Sequence, residues 1–158
     1  NPAAISLEKS RGTVDAPLQV QSGDAIGSVT ARAFDGSIWN VGGQFRFDVD
    51  TFIGPNNFST RFFLQIRTGG ASVVTALTVT PDLSLGVGIT APTARLHVDG
   101  PVRHRVYTVA TLPAAATVGA GTRAAVSDAT SNTFGATATG GGALFAPVIS
   151  NGSTWLIG

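Results

Sequence analysis

The chain has 158 residues, 43% apolar and 12% charged, with ten basic and nine acidic side chains and a formal net charge of +1. That length allows one domain or two small ones with a modest core, and charges scattered singly create no field that would draw in nucleic acid or an anionic membrane. Cysteine is absent, which removes disulfides, thiolate chemistry and cysteine-based metal sites.

An ordinary soluble domain carries about a quarter of its residues charged. The deficit here predicts a surface rich in Gly, Ser, Thr and Asn together with apolar faces covered by other copies of the chain. Methionine is also absent, which suits a protein exposed outside a cell. No apolar run approaches the roughly 18 residues of a membrane helix, and no basic-plus-apolar leader opens the chain. A first residue Asn1 in place of Met leads us to expect a piece of a longer or processed polypeptide.

Helix signals are nearly missing: there is one Glu and one Lys, and 20 Gly with 8 Pro interrupt every long stretch. Period-two patterns predict strands instead. In chain order the candidates are 14–21, 28–34, 44–50, 61–68, 73–80, 103–110, 123–127, 143–149 and 154–157. In 44–50, Phe45, Phe47 and Val49 point one way while Arg46, Asp48 and Asp50 point the other. In 61–68, Phe62, Leu64 and Ile66 line one face against Arg61, Gln65 and Arg67, with Phe63 as an apolar exception. The turn formers Gly54, Pro55, Asn56 and Asn57 between these two strands predict antiparallel pairing. Many short strands at this spacing indicate an all-β fold of short-stranded β-sandwich or intertwined β-prism domains.

Composition shifts near 81–100, from aromatic and charged upstream to rich in Ala, Thr and Gly downstream. We therefore expect an N-terminal β-domain over 1–80, a connector over 81–100 and a C-terminal β-domain over 101–158.

That connector carries Gly86-Val87-Gly88-Ile89-Thr90, then Pro92, then Arg95-Leu96-His97-Val98-Asp99-Gly100. It resembles a motif of bacteriophage tail fibres, a glycine-containing turn followed by Pro and an L-H-V-x-G strand. The stretch 106–158 is similar to a domain that ends many fibre proteins, through Tyr107-Thr108-Val109-Ala110-Thr111-Leu112-Pro113, Arg123-Ala124-Ala125-Val126-Ser127-Asp128-Ala129, Gly140-Gly141-Gly142 and Asn151-Gly152-Ser153-Thr154-Trp155. The first 75 residues or so resemble no family. The resemblance implies an elongated homotrimer on the virion surface that contacts other fibre or virion proteins and a host glycan or outer-membrane receptor. It also implies a distal fibre end in Trp155-Leu156-Ile157-Gly158. Burial of Val, Ile, Leu and Ala between three chains would account for the missing charge. The runs Ala114-Ala115-Ala116 and Gly140-Gly141-Gly142 then read either as close backbone approaches near the axis or as surface loops.

Sugar recognition uses aromatic faces and planar polar groups, and the candidate contact residues are Trp39, Tyr107 and Trp155. Trp39 follows Asp35-Gly36-Ser37 and so lies near a turn; Trp155 follows the turn Asn151-Gly152 and could equally plug the end of its domain. Asp48 and Asp50, on one strand face, have the geometry to share a hard cation, although the next alternate position is Phe52, and pairing with Arg46 is the simpler reading. His97 and His104 read as structural. No G-x-S-x-G elbow occurs, Glu8 is the sole glutamate, and aspartates sit in turn contexts such as Asp35-Gly36 and Asp99-Gly100. Gly140-Gly141-Gly142 lacks the Lys-Ser/Thr of a phosphate loop. We expect no enzyme, no cofactor and no metal. The leading expectation is a receptor-binding fibre segment. Alternatives are a purely structural fibre or head-decoration segment, or a glycan-cleaving tailspike fragment.

Overall fold

The computed structural model describes residues 5–70 and 72–158 and is all-β, as the period-two patterning predicts. The chain divides into two units, one reaching Pro101 and one covering Val102–Gly158.

In the first unit, β1 (Arg11–Gly12) and β2 (Pro17–Leu18) form a small antiparallel ribbon. The strand expected over 14–21 is cut to this length because Thr13 and Ala16 close a turn with reciprocal backbone hydrogen bonds of 3.2 and 3.3 Å. Six strands then pair in chain order: β3 (Ala25–Phe34), β4 (Trp39–Gly54), β5 (Asn57–Arg67), β6 (Val73–Val79), β7 (Leu85–Val87) and β8 (Leu96–Val98). All contacts are antiparallel except the last, β7 with β8. The β4–β5 hairpin turns where expected. Pro55 presets its φ there, and Asn56 takes the left-handed φ of 57° that Asn tolerates.

Residues 81–100, expected as a connector, belong to this sheet. Gly86 sits in β7 because a Cβ there would lie 2.4 Å from the Ile89 carbonyl oxygen, and Gly88 turns the chain at φ 74°. The strand carrying Leu96-His97-Val98 then returns alongside β7.

Register makes the sheet two-faced. Residues directly opposite one another form transverse rows, and one row reads Val29, Phe45, Leu64, Leu77, Val87, Val98 across all six strands. The next row on the same face reads Gly27, Phe47, Phe62, Val79, Leu85, Leu96. Phe62 lies 5.2 Å from Phe47 and 6.1 Å from Phe45 between ring centroids, contacts that contribute about 1 kcal/mol each beyond area burial. On the opposite face the row between these two reads Ser28, Arg46, Phe63, Thr78, Gly86, His97, and the row on the far side of Phe45 is polar throughout. Ser28, Thr30, Gln44, Gln65 and Thr75 link side chain to side chain from β3 to β6, with the central Gln44–Gln65 bond at 2.6 Å. A slip of one residue would exchange the two faces.

The second unit has β9 (Val106–Tyr107), a 3-10 turn at Val109–Thr111, a single helical turn α1 (Ala115–Val118), β10 (Arg123–Ala129), β11 (Leu144–Ser150) and β12 (Trp155–Ile157). The sheet order is β12-β11-β10-β9. The strand expected over 103–110 shortens because Thr108 begins the 3-10 turn and the Asp128 carboxylate accepts the Val109 amide at 2.7 Å. Val126, Ala129, Ala146, Val148 and Ile157 form a small-residue core, with Ala115 of α1 packed into it.

Gly140-Gly141-Gly142 is a site of close backbone approach, but its partner is the same chain. A Cβ on Gly142 would come within 2.1 Å of the Ala129 carbonyl oxygen at the end of β10. Gly142→Ala should therefore destabilise this unit by about 1–3 kcal/mol. The check is urea unfolding of the full chain followed through Trp155 emission; an unchanged midpoint would show that the loop yields freely.

Candidate functional site

The β3–β4 hairpin is the best-organised exposed feature of the first unit. Asp35 braces it: one carboxylate oxygen accepts from the Ser37 amide (2.8 Å), the Ser37 hydroxyl (3.0 Å) and the Ile38 amide (2.9 Å), and the other from the Asn40 side-chain amide (2.6 Å). Donation from the Ile38 and Ser37 amides, more than any other contact, holds the Asp35 carboxyl at a pKa of about 2, below the usual carboxylate range. Arg67 extends the brace into β5, donating to the Val41 carbonyl (2.8 Å), the Gly70 carbonyl (2.5 Å) and Asn40 Oδ1 (3.3 Å).

Phe34 and Trp39 face each other across this turn, ring centroids 5.6 Å apart and tilted by 49°. Trp39 is 64% exposed and Phe34 54%. Their side of the sheet follows from a bulge. Gly42 is an extra residue in β4, between the Ala31–Gly43 and Arg32–Val41 pairs, while β3 alternates without interruption from Gly27 to Phe34. Phe34 is five residues from Val29 and so leaves the apolar face, and Trp39 goes with it. The aromatic pair thus stands apart from the two apolar rows.

The other two candidate contact residues are placed differently. Trp155 is 8% exposed, packs in the core of the second unit and donates its indole N–H to the Pro113 carbonyl at 2.8 Å. It is a core residue, because its ring has no face left and its polar atom is satisfied internally. Tyr107 is half-buried against the same core, and the Arg105 guanidinium lies 4.8 Å from its ring centroid. That stacking occupies the face a sugar would need. Of the three, Trp39 alone presents an open ring.

The acidic pair on β4 is engaged by arginines: Asp48 accepts from Arg46 Nε at 2.6 Å, and Asp50 pairs with Arg61. The simpler pairing with Arg46 holds for Asp48. His97 Nδ1, on β8, lies 3.3 Å from both the amide nitrogen and the hydroxyl of Thr93 in the loop that precedes the strand. A hollow of about 540 Å³ lies where residues 7–9 and 18–20 meet Ile26, Val49, Phe52 and Phe58; its lining is mainly apolar.

Sequence reading missed Phe34 and Ile38 as companions of Trp39. The signal was present: Phe34 and Trp39 flank a four-residue turn, and a hairpin across that turn must set them opposite each other. No family model matches the chain, and no curated protein matches it.

Because the Asp35 pKa is lowered on folding, the hairpin's stabilisation is complete above about pH 4 and is lost as pH falls through about 2. Two-dimensional NMR separates the two indole signals. The Trp39 signal should shift and broaden between pH 4 and 2, and in Asp35→Asn it should already do so near neutral pH. A Trp39 signal unchanged down to pH 2 would contradict this account of the turn.

Proposed function

We propose that the chain is a structural and host-contacting segment of a bacteriophage fibre, a homotrimer displayed on the virion surface that binds a bacterial surface glycan by multivalent contact. The observation that carries the contact is the Phe34–Trp39 pair, open to solvent on a hairpin whose conformation is already set by Asp35 and Arg67. A sugar ring loses apolar hydration on an indole face, and Asn40 and Ser37 beside it offer planar and hydroxyl groups to its hydroxyls. A rigid site binds with little ordering cost. The fibre assignment is supported by the resemblance of 77–158, and trimerisation by the charge deficit and by a sheet that buries little within one chain.

This contact involves no catalysis. A tailspike hydrolase needs two carboxylates placed as acid and base about the scissile bond, and at the proposed contact the carboxylate of the hairpin, Asp35, is committed to bracing the turn. A second reading, assembly and reach alone with adhesion elsewhere, draws on the same apolar sheet.

Trp39→Ala should remove about 1 kcal/mol per site. With three sites engaged together, that lowers adsorption to host cells roughly 100-fold. The protein is expected to sediment as a trimer at micromolar concentration, and a stable monomer there would sink the fibre reading. A trimer that binds neither cells nor glycan arrays would favour the structural reading, and release of reducing ends from host polysaccharide would overturn the non-enzymatic one.

A further inference from the structure

We infer that the apolar face of the β3–β8 sheet is the surface through which copies of this chain associate, with the Phe34–Trp39 hairpin left outside the contact. The inference rests on the homotrimer proposed above and assigns its interface.

Among the described residues of the first unit, only Val49 is an apolar side chain in the fully buried class, although the sheet spans six strands. Val29 is 58% exposed and Phe45 50%, and Phe47, Ile66 and Val74 are exposed on the same side. The two phenylalanines alone present roughly 200 Å², and with the flanking aliphatic residues the face reaches the size at which an apolar patch marks an interaction site. No charged side chain stands in either transverse row. Arg46, Asp48 and Arg61 alternate onto the other face, as the core of a protein–protein interface requires.

The area agrees. Two separate compact bodies of the sizes of the two units would expose about 8,800 Å², and the chain exposes 10468 Å². Residues 5–20 are almost all exposed and carry a share of that surplus, so the sheet face accounts for less than the whole. The difference is roughly 1,600 Å², and half of it on the sheet face would match the roughly 800 Å² that one partner gives to a standard interface. The face is also shaped to take side chains. Ala31 and Gly43 interrupt its bulk and leave a hollow of about 260 Å³ beside Val29, Phe45, Leu64 and Ile66. A second hollow of about 320 Å³ lies beside Phe47, Phe62 and Val79. A rotationally repeated copy brings the same knobs to the same holes in each chain.

Because the protein has no cysteine, single thiols report cleanly on this face. Sedimentation velocity of Phe45→Glu at micromolar concentration should show association weakened at least about 100-fold, since a carboxylate would be buried without a partner. Its strand circular dichroism should be retained. If that variant does not fold, maleimide labelling decides: Val29→Cys should react slowly in the oligomer and Ser37→Cys, at the hairpin tip, rapidly. An oligomeric wild type in which Phe45→Glu still associates, or in which Val29→Cys labels as fast as Ser37→Cys, would overturn the assigned face and leave the trimer standing. A monomeric wild type would overturn both. A monomer whose Val29→Cys is nevertheless protected would show that another part of the chain covers the sheet.

Discussion

The first unit depends on one constraint, the register that sets Phe45 opposite both Val29 and Leu64. Side chains alternate with a period of two, so this one alignment sorts the residues between the bulges onto an apolar or a polar face. The polar face then ties itself together through Gln44 and Gln65, and its ion pairs involve Asp48 and Asp50. Each bond on that side confirms the register that the aromatic side prefers, and such agreement between levels marks a well-specified structure.

Where the alternation is broken, the break has a consequence. The extra residue at Gly42 turns the end of β4 over, so that a tryptophan which strict alternation from Phe45 would place on the apolar face instead stands with Phe34 on the other side. A bulge thereby separates two kinds of exposed apolar surface. One is a broad sheet face whose two apolar rows carry no charge. The other is a small aromatic tip held by Asp35. The second unit solves its burial problem differently, with small residues packed tightly into a buried cluster and Gly142 admitting backbone against backbone.

Much of the sheet was legible. The 44–50 and 61–68 patterns and the Gly54–Asn57 turn locate a hairpin because apolar alternation and turn chemistry are local properties. Strand ends were less legible. The start of β4 at Trp39 is hidden by Gly42 and Gly43, which carry no side chain to show a period, and β7 is three residues long with a glycine in its middle. The strands expected over 14–21 and 103–110 shortened because hydrogen bonds at Ala16 and Asp128 captured backbone that propensity assigned to a strand.

The sequence by itself determined the all-β character, the division of the β4 and β5 side chains between two faces, and the shortage of charge. All three follow from residue type and local spacing. Only the tertiary structure decided which aromatic rings are open. Trp155 is closed by a carbonyl 42 residues away at Pro113 and Tyr107 is stacked beneath Arg105, whereas Trp39 stays open because a bulge and a braced turn carry it clear of the apolar face. Burial is set by what lies across space from a side chain, and that information is not carried by its neighbours in the chain.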